Sequence, residues 1–467
     1  MLHEGNDLFQ GYPANHRLGG RGRALVSPRE DPDFVATLVS GGDSRLAVDI
    51  RTGLNRYHCP TLPAPDLICA SSCTATPIHA RSFARAGAAF AAIFGGASPS
   101  RAQRLAAHAR GVEARLVAHF GVINLADAIL RPSGTDALLT AAMLVAAERP
   151  GKSFTAIIPS ASETGTGVPL AASCRHFDGP TSGKSLADFA GNTVEVPLRR
   201  EDGTALSDDD VNDAYAAAAA IVRDRPVVYL THSTKTGLIA PVAPPPGADV
   251  IVDACQGRID PLQVAAYLRC GWLVVVTGSK FFGGPAFSGA VLYPRGRIAG
   301  RRRRHGVTRS EWPNREATKL AMVLRWIAAL DVIEAFEPMA ANMAAFLKDL
   351  AKAVDVEFSA NPSLVPIAGL QPRGPGWADQ PSIFTFGVRD PSDHHRLLSA
   401  AELRPLYEHL AREGVLLGQP VGLGSFGGLR IAASARDVLE GYRDSGLIRL
   451  FDALENATAR PTWHPKQ

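Results

Sequence analysis

The stretch VTGSKFFGGPAFSGAVLYP, residues 276–294, sets one lysine, Lys280, between an apolar run and a glycine-rich segment that leads into a second apolar run. Lysine is ordinarily a surface residue. An amine at the end of what reads as a buried strand is therefore unfavourable unless it has a use. The use that suits it is a Schiff base with a carbonyl compound, because desolvation and neighbouring cations lower a lysine's pKa and free the neutral amine. A structural lysine whose stem snorkels past apolar groups is the plain alternative.

Outward from this stretch, short apolar runs recur at 127–130, 154–158, 226–230, 250–253, 272–276 and 289–293. They are rich in Val, Ile, Leu and Ala without strict alternation, as in strands buried on both faces. Helical windows lie between several of them, at 135–147, 207–222 and 261–270. The second is opened by Ser207 followed by three aspartates, a good N-cap. Alternation of strand and helix predicts an α/β domain with a mainly parallel sheet. Residues 1–60, rich in Gly, Pro and Arg, read as an irregular arm, and 61–320 as the large domain. An alanine-rich helical region covers 80–120, and a long helical window follows at 315–336. Residues 321–467 read as a smaller α+β domain, with PSIFTFGV (381–388) and GGLRIAAS (427–434) as strands and helices near 339–354, 401–413 and 435–455.

Composition sets the bounds. With 467 residues, 46% apolar and 20% charged, the chain has the make-up of a soluble globular protein with a core that needs no disulfides. Its six cysteines form no framework, and Cys69 and Cys73 have no second Cys or His pair nearby, so no metal site is expected. The opening MLHEGNDLFQGYP lacks the apolar segment of a secretory signal. No stretch approaches the roughly 18 apolar residues of a membrane span, and the expected compartment is the cytoplasm. The net charge of +4 is small for this length. One basic run, PRGRIAGRRRRHGVTR (294–309), has no interleaved aromatics. It reads as a solvated or subunit-interface loop rather than a nucleic-acid site.

Asp253 gives Lys280 a partner. It ends the run ADVIVDACQ, an acid at the carboxyl edge of a parallel strand, where ligands bind in α/β sheets. A metal would need more ligands than nearby Asp260 and Cys255 supply. An acid and a later lysine, each at a strand end, fit pyridoxal phosphate: the lysine holds the aldehyde carbon and the acid keeps the pyridine nitrogen protonated. In ILRPSGTDALLTAAMLV (129–145), Ser133, Gly134 and Thr135 open a helix. Backbone N–H groups and the helix dipole there can receive a phosphate; a plain N-cap is the alternative. Thr277 and Ser279 can add hydroxyls from the opposite side.

Taken in order, SGTDA (133–137), THSTKTGLIAPV (231–242), VDACQ (252–256), TGSKFFGGPAFSGAVLY (277–293) and LRIAAS (429–434) resemble the pyridoxal-phosphate enzymes of fold type I, in the class V aminotransferase and cysteine desulfurase superfamily. The resemblance spans roughly 130–435. It implies a large α/β domain with a mainly parallel, seven-stranded type of sheet, plus a smaller C-terminal α+β domain. It makes Lys280 the Schiff-base lysine, Asp253 the partner of the pyridine nitrogen, and Gln256 a hydrogen-bond partner of the cofactor's phenolic oxygen. Gly134, Thr135 and Thr277 become phosphate contacts, and Arg430 the clamp on the substrate α-carboxylate; a surface strand residue is the plain reading of Arg430. Thr234 stands where many relatives carry an asparagine, and Ser279 where a histidine is common. Relatives stack a histidine or aromatic ring on the cofactor. The equivalent IIPSASETGTGVP (157–169) has none, which leaves Glu163, Thr164 or Gly165, or a ring from elsewhere, to face it. The resemblance also implies an amino-acid substrate and a homodimer with the site at its interface, into which Arg301, Arg302, Arg303 and Arg304 could reach.

Some chemistries are excluded on residues. The last cysteine, Cys270, precedes the lysine, which argues against persulfide chemistry on a later loop. Gly179 to Ser185 is one residue short of a P-loop and follows no strand, and Gly422 to Gly427 precedes a strand rather than a helix. The expected activity is an aminotransferase. A lyase, aldolase or epimerase on the same residues, and a non-catalytic protein that keeps the fold, are the alternatives.

Overall fold

The computed structural model describes residues 32–96, 98–148, 151–186, 191–223, 225–297, 315–440, 444–459 and 463. The four arginines at 301–304 lie outside the described residues. In chain order the strands are Ile68–Ala70 (β1), Ala126–Arg131 (β2), Phe154–Pro159 (β3), Gly191–Val196 (β4), Arg225–His232 (β5), Ile239–Ala240 (β6), Asp249–Ala254 (β7), Leu273–Thr277 (β8), Gly289–Pro294 (β9), Leu364–Ile367 (β10), Ile383–Asp390 (β11), Asp393–Leu397 (β12), Val415–Gly422 (β13) and Gly427–Ala432 (β14).

The large sheet runs β4-β3-β5-β7-β8-β9-β2, with the short β6 added to β5. The pairs from β4 to β8 are parallel, and β9 alone on this path runs against its neighbours β8 and β2. Every residue of β3 and β8 is buried, as unbroken apolar strands between two helix layers should be. Alternate residues divide between the layers. Val250, Val252, Val274 and Val276 pack with helices Ala80–Phe94, Arg101–His119 and Arg315–Phe336. Ile251, Leu273 and Val275 pack with Gly134–Ala146. The helices start where the chain offers caps: Ser100 and Gln103 form a capping box, Ser207 accepts from the Asp210 N–H, and Asp260 accepts from the Leu262 N–H.

The second sheet runs β1-β13-β14-β11-β10, with β12 on β11. All its pairs are antiparallel except β1 with β13, so a strand that precedes β2 in the chain is built into the C-terminal sheet. Helices Ala340–Ala360, Leu403–Arg412 and Asp444–Ala459 flank it. The helical window 435–455 resolves into two helices, Ala435–Leu439 and Asp444–Ala459. One hydrophobic cluster runs from Val274 and Trp326 in the first layer to Phe386 and Leu429 in this sheet. Among the described residues no helix is long and apolar enough to cross a membrane.

Candidate active site

The carboxyl ends of β3, β5, β7 and β8 open on one edge of the large sheet, where ligands bind in such folds. Lys280 stands just past β8. Its loop is curled tightly: the Gly278 N–H donates to Ser288 O at 3.0 Å, the Gly284 N–H to Gly278 O at 2.9 Å, and the Gly283 N–H to Lys280 O at 2.8 Å. The Phe281 N–H reaches Gln256 O at 3.2 Å, tying this loop to the turn after β7. Lys280 keeps part of its surface open. Burial of its amine, the largest influence, pulls its pKa below the ordinary lysine value; Cys255 and Asp253 push the other way.

Register places Asp253 beside the lysine. It pairs with Thr231 of β5 and Val275 of β8. It shares a strand face with Ile251, the face covered by helix Gly134–Ala146. The carboxylate is buried, and its Oδ1 accepts from the Cys255 N–H at 3.0 Å. The Cys255 side chain also hydrogen-bonds this carboxylate.

Helix Gly134–Ala146 begins next to both groups. Ser133 and Asp136 form a capping box, with the Asp136 N–H donating to Ser133 Oγ at 3.1 Å and the Ser133 N–H to Asp136 Oδ2 at 3.0 Å. This leaves the N–H groups of Gly134 and Thr135 as first-turn donors without an intrahelical acceptor. Gly134 is required by close approach: a Cβ there would fall 2.8 Å from Cys255 Sγ and 3.0 Å from Thr277 Cγ2. The Thr277 hydroxyl donates to Cys255 O at 2.6 Å, so it braces β8 against the β7 turn. Ser279 is buried alongside. Arg45, from the segment read as an irregular arm, donates from Nη1 to Thr135 Oγ1 at 3.3 Å while paired to Asp43. It brings a cation to the helix start that sequence patterning could not place.

The opposite wall comes from the loops after β3 and β5 and from the second sheet. Glu163 is buried. It accepts from Arg199 Nε at 2.7 Å, from the Thr234 hydroxyl at 2.7 Å and from the Thr236 hydroxyl at 2.7 Å. Thr234 is thereby committed to this network. Lys235 follows it, beyond the left-handed Ser233 (φ 72°). Its N–H donates to Glu163 O at 2.8 Å and its Nζ to Ala161 O at 3.0 Å. Burial, with Arg430 and Lys280 in support, lowers its pKa to about 8 against the pull of Glu163.

Arg430, in β14 opposite Thr385 and Gly418, is 2% exposed. It donates to Lys235 O at 3.1 Å, to Thr74 Oγ1 at 3.2 Å and to Gln419 O; its Nε is buried without a partner. Gln256 donates to Cys73 O at 3.1 Å and accepts from Arg258 at 2.9 Å. Arg258, fully buried, also bonds Ser72, Ser382 and Ala433 O, and burial lowers its pKa to about 10. Cys73 is buried between these arginines: a Cβ at Gly418 would lie 2.5 Å from its Sγ. Arg45, Cys73, Lys235 and Arg258 are the site neighbours that sequence reasoning passed over. Lys235 lies inside one quoted motif and Arg258 two residues past another; Arg45 and Cys73 arrive only through tertiary contact.

This architecture is fold type I of the pyridoxal-phosphate enzymes. A cysteine desulfurase, CsdA, from Escherichia coli is 17% identical, with a TM-score of 0.50 over 86% of this chain and 97% of that one. A NifS-like protein is 15% identical, with a TM-score of 0.54 over 84% and 99%. The glutamate decarboxylase domain of a diaminobutyrate–pyruvate transaminase and L-2,4-diaminobutyrate decarboxylase from Vibrio parahaemolyticus is 15% identical, with a TM-score of 0.54 over 94% and 92%. No protein-family model and no curated protein matches the sequence.

Proposed function

We propose that the chain is a pyridoxal-phosphate enzyme acting on an amino acid, an aminotransferase in the first instance. The observation that carries this reading is the juxtaposition of a pKa-lowered lysine amine and a buried carboxylate at the ends of adjacent strands. Both lie beside a helix start whose Gly134 admits no side chain. The donor set fits the cofactor: a free amine for its aldehyde, a carboxylate for its ring nitrogen, and two N–H groups with Arg45 for its phosphate.

When bound, pyridoxal phosphate supplies an aldehyde that condenses with amines and a ring that takes up the electron pair left when a bond at the substrate α-carbon breaks. The residues of the chain do the rest. Lys280, whose lowered pKa favours the neutral amine, would hold the cofactor's aldehyde carbon, and its Nζ would move the α-proton as general base and acid. Asp253 would hold the ring nitrogen's proton on its carboxylate. Gln256 has one amide proton left, after the bond to Cys73 O, for the phenolic oxygen. Arg430 orients the α-carboxylate with its remaining donors, and Thr277 keeps the cup closed through Cys255. We further propose a homodimer with the site at its interface, and a large unit of 61–320 joined to a C-terminal unit of 321–467.

The test is a survey of amino acids against the cofactor-loaded protein, followed by absorbance and product mass. Transamination predicts loss of the violet absorbance with release of the matching 2-oxo acid. Released fragments, or racemised substrate with the absorbance unchanged, would transfer the assignment to lyase, aldolase or epimerase chemistry. No change with any amino acid would leave a non-catalytic binding protein.

A further inference from the structure

The site carries more positive charge than a simple amino acid needs. Lys280 lies near Asp253 and Arg258, Lys235 lies near Arg430 and Lys280, and Glu163 is already matched by Arg199 at 2.7 Å. Among the described residues no carboxylate pairs with Arg430 or Arg258; their bonds go to carbonyls, hydroxyls and an amide. Buried cations without counter-charges are unfavourable, and the Nε of Arg430 is buried without a hydrogen-bond partner. The backbone ties the second cation to the first. Arg430 grips Lys235 O at 3.1 Å, and among the described residues Lys235 Nζ is held only by Ala161 O, which leaves it two protons to donate. Lys280 would be committed to the cofactor and Arg430 to the α-carboxylate. Lys235 remains.

We infer that the substrate is an acidic amino acid with a second carboxylate, bound through the Lys235 amine while Arg430 takes the first. The inference rests on the proposed function for the amino group, and on the side-chain cluster alone for the two acids. Lys235 also sets specificity by exclusion: a neutral side chain would leave its ammonium buried and unanswered, which discriminates more strongly than any gain in contact.

The experiment is calorimetric, with unreactive probes that lack the amine: glutarate and succinate as dicarboxylates, butyrate as monocarboxylate. It is run on the cofactor-loaded and the cofactor-free protein. The expected result is that one dicarboxylate binds at least about tenfold more tightly than butyrate. In Lys235→Met that preference should fall to within about twofold, with the cofactor's absorbance and the melting temperature unchanged. Lys235→Arg, which retains the charge, should keep most of it. Equal binding of all three acids by the unaltered protein would overturn the inference. So would a Lys235→Met variant that loses butyrate as strongly as glutarate, for then Lys235 would hold only the common carboxylate. A protein that fails to take up the cofactor but still prefers dicarboxylates would contradict the proposed function and leave the two-anion site standing.

Discussion

Asp253 and Lys235 are the two residues whose charge states carry the account. The Asp253 carboxylate spends one oxygen on the Cys255 N–H. Asp253→Asn keeps the shape and removes the charge that stabilises the protonated ring. Turnover should fall by about 10²–10³, with cofactor content nearly unchanged; steady-state rates and absorbance read both. Lys235 gives a pH signature with a definite sign. Its pKa lies near 8 because burial, Arg430 and Lys280 outweigh Glu163, and a bound anion can only raise it. Dicarboxylate affinity should therefore be flat below about pH 8 and weaken above it, whereas in Lys235→Met calorimetry should show no such step. A sequence can announce a lysine at a strand end, because charge in an apolar setting is conspicuous. It does not say which way a loop lysine points. Lys235 stood inside a motif that had been read, and only the bonds to Ala161 O and Glu163 O turn it inward.

Elements supply the precision of the site, and the first turn of helix Gly134–Ala146 is the tightest part of it. Gly134→Ala would drive a methyl into Cys255 Sγ and Thr277 Cγ2. Overpacking of this kind costs about 1–3 kcal/mol, and it should appear in urea unfolding together with weaker cofactor binding. Gly111→Ala, in the interior of helix Arg101–His119 with open space around the new methyl, should stabilise by about 0.5–1 kcal/mol and leave the cofactor alone. The strands that bear the chemistry, β7 and β8, were legible because they are continuous apolar runs buried on both faces. Strand β4 was not, since its polar, partly exposed residues sit at the sheet edge. Exposed β12 and β13, which carries Gly418 and Pro420, break the pattern in the same way. Their place is set by pairing with β11 and β14, which no local window contains.

On the scale of the whole molecule, one hydrophobic cluster joins the two sheets, and Arg258 and Arg430 stitch the second sheet to the turns after β7 and β5. Cofactor binding should therefore stabilise the chain as a unit. At a hundredfold excess over Kd the linkage amounts to about 2.7 kcal/mol, seen as a higher melting temperature that Lys280→Ala loses. The proposed homodimer should scatter light at twice the mass of the 467-residue chain. The most direct test of the central claim is borohydride reduction of the intact protein with pyridoxal phosphate, followed by peptide mass mapping. The account predicts a single pyridoxyl group on Lys280, absent in Lys280→Ala; an unlabelled chain, or a label on Lys235 in place of Lys280, would contradict it.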